Sequence, residues 1–520
     1  MTLDIARRRR VRPPFWPRLA SAWKRPARRA GQTGWAARVR LDVLLLVACV
    51  AFGGLAAVSL KYALIGLLLA GLGGWVVAKP QVAAYLLILL TPLIVGVNVA
   101  VPLVRPNEAL IVLFAVLIAA RWLAGVRTGE RRWPKLDKVD YSLLALGITS
   151  SGLPLLMMLA RQRPITSDDL LYCIVIWKLL AEYVIVRSTI RTREQAMRCL
   201  WLSMIAAAIV CVVAILQSLN LFGVPALLAK YYAPLGQAEA VSIGRGSSLL
   251  SLPAAVADLA ILNLGIAIAM LARASKGSRK WLAGMAIVFV LGVVAAAEFS
   301  TVIGLVIAVI VLVILTGYKR LLAYAVPVAI AGAIALWPVI QMRLTGFQSA
   351  SGVPVSWEVR LTNLRTYFWP QLFSDNNWIL GVRPSARVAV PNQLYGFVWI
   401  ESGYTWLLWG GGLPLLGSYL AFAVYAIRKG WRFARRPGPG GIAGTAVAAA
   451  LAAQLVAMLF DPHLTYRGAG DALFLILALV RIIPSRRTAA TPGASSGAGP
   501  VQQPRQAVPT ASPDREEVPA

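Results

Sequence analysis

Charge is scarce in this sequence, acid scarcer still, and histidine almost absent. Only 14% of its 520 residues are charged, well below the share of a soluble domain. The single histidine, His463, excludes a multi-histidine metal site. Four cysteines, Cys49, Cys173, Cys199 and Cys211, lie in or at the edge of apolar runs and form no CxxC pair. Neither a zinc site nor a disulfide framework follows from such a pattern. No metal and no cofactor is expected. With 21 acids against 52 Lys and Arg, the formal net charge is +31. That excess invites a nucleic-acid reading, but the basic residues gather at the N-terminus and in alternate short loops. This is the charge bias of a membrane protein. Nucleic acid is excluded as a partner, and membrane lipid with anionic headgroups is retained.

What the chain has in abundance is apolar sequence: 58% hydrophobic residues and a mean hydropathy of +0.70. Runs of about 20 apolar residues recur, the length that crosses a bilayer as a helix. A helix satisfies its own backbone in lipid, so the expected fold is all-α and multi-pass. The runs lie at roughly 43–60, 62–78, 81–104, 109–124, 142–160, 170–186, 199–217, 248–272, 281–297, 302–317, 321–340, 403–427, 441–460 and 471–483. They predict about 12–14 transmembrane helices by the hydropathy criterion. Residues 1–41 read as a basic, disordered cytoplasmic tail, 42–484 as the polytopic domain, and 485–520 as a second disordered tail rich in Ala, Pro, Gly, Ser and Gln. Trp16, Trp23 and Trp35 could seat the first tail on lipid.

Loop charge gives an orientation. The loops 127–138, 187–198, 273–280, 319–320 and 428–436 are all basic. The alternate loops 161–169, 218–246, 341–402 and 461–471 are less so. The positive-inside rule then places both termini in the cytoplasm and the long stretch 341–402 outside.

Ionisable residues inside apolar runs are functional candidates because burying them is expensive. Lys178 and Glu182, four apart on one helix face, are expected to neutralise each other. Asp258 and Asn263 are expected to hydrogen-bond between helices, and Glu298 to be solvated at a helix end. His463, after Asp461-Pro462 in an outer loop, reads as a solvated side chain or as an acid/base group with a near-neutral pKa.

The long polar stretch 341–412 holds the densest set of candidates. Trp357, Leu361, Leu364 and Phe368 recur with helical period and predict an amphipathic interfacial helix over 356–372. Arg360 and Arg365 flank it, and Trp369-Pro370 is expected to end it. Arginine presents a planar fork that suits phosphate oxygens; the plainer alternative is that these arginines snorkel to lipid. Arg245, between Gly244 and Gly246, shares this outer face. Glu401 stands at the mouth of the next apolar run, where partial desolvation would raise its pKa and suit it to act as a general base.

In order and type, these pieces resemble the bacterial O-antigen ligase and O-antigen (exopolysaccharide) polymerase superfamily. Gly244-Arg245-Gly246-Ser247-Ser248-Leu249-Leu250 resembles the arginine-led opening of a mid-chain helix in that family. Arg360, Tyr367 to Trp369 and Ile379-Leu380-Gly381-Val382-Arg383 resemble its outer-loop elements. Glu401-Ser402-Gly403-Tyr404-Thr405-Trp406-Leu407-Leu408-Trp409-Gly410-Gly411-Gly412 resembles its acid-led, glycine-ended helix start. The segment from Trp177-Lys178 to Trp201 is also similar, and the likeness in architecture covers roughly residues 80–480. Ser300-Thr301-Val302-Ile303-Gly304 lacks the arginine of a family element. The ligase-type histidine is also missing, with Asn392 or Glu401 near its place, which favours a polymerase. The resemblance implies a membrane glycosyltransferase of the cell envelope, in the bacterial cytoplasmic (inner) membrane. Its donor would be a polyprenyl-pyrophosphate-linked oligosaccharide. Arg245, Arg360, Arg365 and Arg383 would hold the pyrophosphate, Glu401 would activate the acceptor, and other polysaccharide export or assembly proteins would be partners. Ligase-type transfer, a lipid-glycan flippase and a non-catalytic assembly scaffold are the competing readings.

Overall fold

The computed structural model describes residues 59–97, 105–127, 135–232, 244–274, 276–318, 320–345, 354–390 and 396–483. Both tails, most of the first apolar run and Asn392 lie outside the described residues. The chain divides into two compact units, Met1–Trp75 and Val76–Ala520. In the first, the described residues are Ser59 and helix α1 (Leu60–Ala78) as far as Trp75.

The protein is an all-α, multi-pass membrane protein. Eight described helices are long and apolar enough to cross a bilayer. The second unit runs through α2 (Gln81–Ile94), α3 (Pro106–Arg127), α4 (Lys138–Ser150), α5 (Gly152–Ala160), α6 (Ser167–Thr189), α7 (Arg193–Ser218) and α8 (Val224–Tyr231). It continues through α9 (Pro253–Leu271), α10 (Lys276–Ala296), α11 (Phe299–Thr316), α12 (Arg320–Ala335) and α13 (Trp337–Thr345). The polar stretch supplies α14 (Val355–Asn363), α15 (Trp369–Phe373), α16 (Asn377–Leu380) and a hairpin of β1 (Arg387–Ala389) and β2 (Phe397–Trp399). Then follow α17 (Gly403–Ala434), α18 (Pro439–Ala457) and α19 (Ala469–Leu477). In the hairpin Val388 pairs with Val398, antiparallel.

Helix α9 is the axis of the bundle. From Ala254 to Met270 every side chain except Asp258 is buried, against α7, α10, α11, α18 and α19. It and the alanine-rich α18 carry small residues, which let helices approach closely where lipid supplies no hydrophobic drive. Ser203 Oγ on α7 donates to Asn263 Oδ1 on α9 at 2.8 Å, the interhelical bond expected of Asn263.

Polar contacts gather at the two ends of the bundle. At one end Lys429 pairs with Asp137 at 2.7 Å, Arg187 pairs with Asp140, and Arg273 Nη2 donates to the Ala434 carbonyl at 2.6 Å. Loops read from sequence as basic meet there. Capping boxes at Asp137/Asp140, Thr166/Asp169 and Thr192/Gln195 start α4, α6 and α7; each satisfies orphan N–H groups at a helix start. At the other end, Arg383 Nη2 lies 2.6 Å from Asp169 Oδ2 and Arg387 pairs with Asp168, both at the first turn of α6.

Two sequence expectations are corrected. Trp369-Pro370 does not end the interfacial helix. Leu364–Phe368 form a π-turn, and the helix resumes through Trp369 to Phe373. The widened turn accommodates a proline that lacks an N–H and would clash with the preceding turn of a regular helix. Along the predicted apolar stripe, Phe368 and Leu364 are buried but Leu361 is exposed. Lys178 pairs not with Glu182 but with Asp471 of α19, at 2.6 Å.

Helix α17 is broken at Gly412, where φ is 65° and ψ is −156°. Pro414 has no N–H to continue the ladder. That leaves the Gly410 carbonyl without its ladder donor, and the neighbouring Trp409 carbonyl accepts from Val382 N at 2.7 Å. A Cβ on Gly412 would lie 2.2 Å from the Ile379 carbonyl oxygen, so the glycine lets the segment around Gly381 dock into the break. Gly412→Ala is expected to cost about 1–3 kcal/mol through backbone strain alone. It should lower the melting temperature in detergent, whereas Gly417→Ala, with open space around its Cβ position, should not. Equal melting of the two variants would exclude the strained break.

Candidate functional site

The end of the bundle that bears Arg383 and Arg387 also bears Arg245, Arg360 and Glu401. Three segments build the site. The first is 244–251, ahead of α9. Gly246 N donates to the Ala295 carbonyl at 2.9 Å. Gln217 of α7 donates to Ser247 Oγ at 3.0 Å and accepts from Ser248 N at 2.7 Å. These bonds hold Arg245 against α10 and α11, where its guanidinium meets Glu298. Glu298, expected to be solvated, is 9% exposed.

The second segment is the start of α17. Gly403 N donates to the Met458 carbonyl at 2.8 Å, and Tyr404 OH donates to the Leu455 carbonyl at 2.7 Å. This joins the mouth of α17 to the end of α18 and sets Glu401 beside Asp461. Arg360 of α14 spans both carboxylates, with Nη1 2.7 Å from Asp461 Oδ2 and Nε 3.8 Å from Glu401 Oε1. The first is a close ion pair. The second is beyond hydrogen-bond length. Trp357, one turn before Arg360, lies 4.8 Å from Phe460, ring centroid to centroid, and seats α14 over the cluster.

The third segment, 458–468, folds back into the bundle between α18 and α19. It carries Asp461 and His463 inward. His463 is not the solvated loop side chain that its context suggested; it is fully buried. Its Nδ1 lies 2.7 Å from Asp258 Oδ2, and its Nε2 has no partner among the described residues. The Tyr466 ring packs against it at 4.8 Å. Asp258, expected to hydrogen-bond between helices, supplies the histidine's counter-charge. Beneath this pair a cavity of about 20 Å³ is lined by Asp258, Gln454 and apolar side chains of α9, α18 and α19. It has room for one water.

Two arginines here face four carboxylates, Asp258, Glu298, Glu401 and Asp461. Glu298 is electrostatically felt by Arg360, Glu401, Asp461 and His463 alike, so the Arg245 and Arg360 pairs belong to one cluster. Burial pushes Glu401 above the ordinary carboxylate range; Arg360 opposes the shift, and Asp461 and Glu298 add to it. Burial also raises Asp461, against Arg360 and His463. Burial alone would lower His463, but Asp258, joined by Asp461 and Glu298, outweighs it and the ring's pKa is raised.

Of the other candidates, Arg383 is clamped by Asp169 and Thr166, so it fastens the loop to α6. Arg365 is exposed on the π-turn. Asp461, Glu298 and Asp258 were each visible as acids at the ends of, or inside, apolar runs. Their convergence depends on the inward fold of 458–468, which no local pattern announces. Among the described residues no group of three His, Cys, Asp or Glu side chains is placed to hold a metal.

The raised carboxyl of Glu401 has a pH signature. A group whose folded-state pKa is raised contributes stability below its unfolded pKa and loses it as pH rises through the folded one. Glu401→Gln is therefore expected to melt close to wild type at acid pH. It should become relatively more stable as pH rises above the ordinary carboxylate range, as read from melting curves in detergent. A constant difference across pH would exclude the desolvated state of Glu401. No family model matches the chain, and no curated protein matches it.

Proposed function

We propose that this protein is a membrane glycosyltransferase of the polysaccharide-polymerase type. It joins polyprenyl-pyrophosphate-linked oligosaccharide units at the face that bears Arg245, Arg360 and Glu401. In this reading that face is extracytoplasmic, the membrane is the bacterial inner membrane, and both termini are cytoplasmic. The observation that carries the reading is the uneven hold on Arg360, close to Asp461 but loose to Glu401, beneath an aromatic helix at the membrane surface.

An incoming pyrophosphate does not meet an open cationic cradle, because the carboxylates outnumber the arginines. It exchanges with one of them. Glu401 is the weaker partner and is about a third exposed, so phosphate oxygens take its place at Nε while Asp461 keeps Nη1. The freed Glu401 carboxylate, with its raised affinity for a proton, accepts the acceptor hydroxyl's proton. The hydroxyl oxygen bonds to the anomeric carbon as the bond from that carbon to the phosphate oxygen breaks. The electron pair leaves with polyprenyl pyrophosphate, whose charge Arg360 and Arg245 stabilise. His463 Nε2 is a second acid/base group. Trp357 and Trp399 offer faces for sugar rings. Ligase-type transfer to a different acceptor uses the same step, and other polysaccharide export or assembly proteins fit as partners.

A flippase is favoured by one observation. The break at Gly412 lies about 14 Å along α17, at ~1.5 Å per residue, and discontinuous helices are common in transporters. The two readings separate in proteoliposomes supplied with a polyprenyl-pyrophosphate oligosaccharide. Polymerase activity lengthens the glycan; a flippase moves it across the bilayer unchanged. Arg360→Ala and Glu401→Gln are each expected to slow lengthening about a hundredfold, the range for loss of a transition-state contact. Arg365→Ala should stay near wild type. Wild-type product lengths from both of the first two variants would overturn the mechanism.

A further inference from the structure

A second group of buried charges lies where α6 meets α19. Lys178 Nζ sits 2.6 Å from Asp471 Oδ1, with the aspartate side chain fully buried. Asp471 Oδ2 accepts from Gly468 N at 2.5 Å. Asp471 therefore has both a counter-charge and a donor. Lys178 is about 17 Å along α6 from Ser167, at ~1.5 Å per residue, well inside the bundle.

Glu182, one turn beyond Lys178, is also fully buried. Neither of its oxygens has a hydrogen-bond donor among the described residues. Its polar neighbour on α19 is the Asp471 carboxyl. Two ionised carboxylates cannot hydrogen-bond to each other; one has to carry a proton. Asp471 is committed to Lys178 and to the Gly468 N–H, so the proton belongs on Glu182. Charge points the same way. With Glu182 ionised, one ammonium would face two carboxylates in an apolar interior, leaving a net charge that is expensive there. Glu108 of α3 also bears on Glu182, with the same sign as Asp471. Arg467, ahead of α19, bears on Lys178 and lies 3.9 Å from Glu108.

We propose that Lys178, Glu182 and Asp471 form a proton-binding site inside the membrane, in which Glu182 is the neutral acid and donates to Asp471. The ligand is a proton. The site is tied to the candidate functional site through Gly468, which closes the segment carrying Asp461 and His463. The proposal does not rest on the glycosyltransferase reading.

The test uses the full chain in lipid nanodiscs, treated with a lipophilic carbodiimide that attacks protonated carboxyls, with adducts mapped by mass spectrometry. Glu182 is expected to be labelled, with labelling lost as pH is raised and unchanged by sodium. In Asp471→Asn, Lys178 loses its partner and turns to Glu182, which then ionises, so labelling there is expected to vanish. Infrared spectra should show a protonated-carboxyl band that is lost in Glu182→Gln, and this decides the matter if Asp471→Asn fails to fold. Protection by sodium would mark a metal-cation site and overturn the proposal. So would persistent labelling in folded Asp471→Asn, or the absence of both the adduct and the band.

Discussion

The cost of an unpaired charge in a low-dielectric interior governs this structure. Breaking a buried ion pair by removing one partner costs about 3–5 kcal/mol. Most charged side chains that enter the bundle are accordingly matched. Asp461 has Arg360, Glu298 has Arg245, Asp258 has His463, and Asp471 has Lys178. The pairs join elements far apart in sequence, so the requirement for counter-charge is also what draws 244–251, α14 and 458–468 to one place. Such pairs need not add net stability over apolar side chains of similar volume. Their effect is to specify which segments meet.

Backbone groups follow the same accounting. A helix broken inside a membrane leaves donors and acceptors that water cannot reach, and they have to be met by protein. At Gly412 the Trp409 carbonyl beside the break accepts from Val382 N, and the Gly381 carbonyl accepts from Arg161 Nη1 at 3.0 Å. The Trp409 indole donates to the Ser385 carbonyl at 2.8 Å. The polar segment 377–385 is thereby plugged into the helix bundle and clamped at its far side by Asp168 and Asp169. Arg383, which sequence alone grouped with arginines expected to hold phosphate, serves this clamp.

Hydropathy reads a large local average, and for that reason the helices were legible. Of the apolar runs, all but the one at 43–60 fall at least in part on described helices; residues 98–104 of the run at 81–104 lie outside the described residues. The run at 248–272 begins with a 3₁₀ turn, Ser248–Leu250, and the runs at 142–160 and 321–340 are each divided in two. Pairing was less legible because it depends on three-dimensional approach. Lys178 and Glu182 have the spacing of a helical ion pair, yet Asp471 competes from another helix and is held in place by a backbone N–H. His463 looked solvated because it sits in a loop between two spans. A loop that folds inward has the same sequence signature as one that stays in water. Pro370 misled for a related reason: a residue before proline is disfavoured in the α region, but a π-turn removes the clash at the cost of one widened turn.

The excess of carboxylates over arginines constrains any ligand of the candidate site. An anion has to displace a carboxylate before it gains a guanidinium, and the long Glu401 contact can yield without uncovering the buried Asp461 charge. Asp461 cannot leave Arg360 without losing its close ion pair beside Glu298, with only His463 left to oppose its charge. A site of this kind does not hold phosphate by net positive charge. In the proposed reading it discriminates by geometry, accepting a group that can occupy Nε while the Nη1–Asp461 pair stays intact. In that reading the displaced Glu401 is left near the ligand without its cation, in surroundings that already raise its affinity for a proton. In the proposed reaction, binding and base activation are then one event, driven by the same exchange.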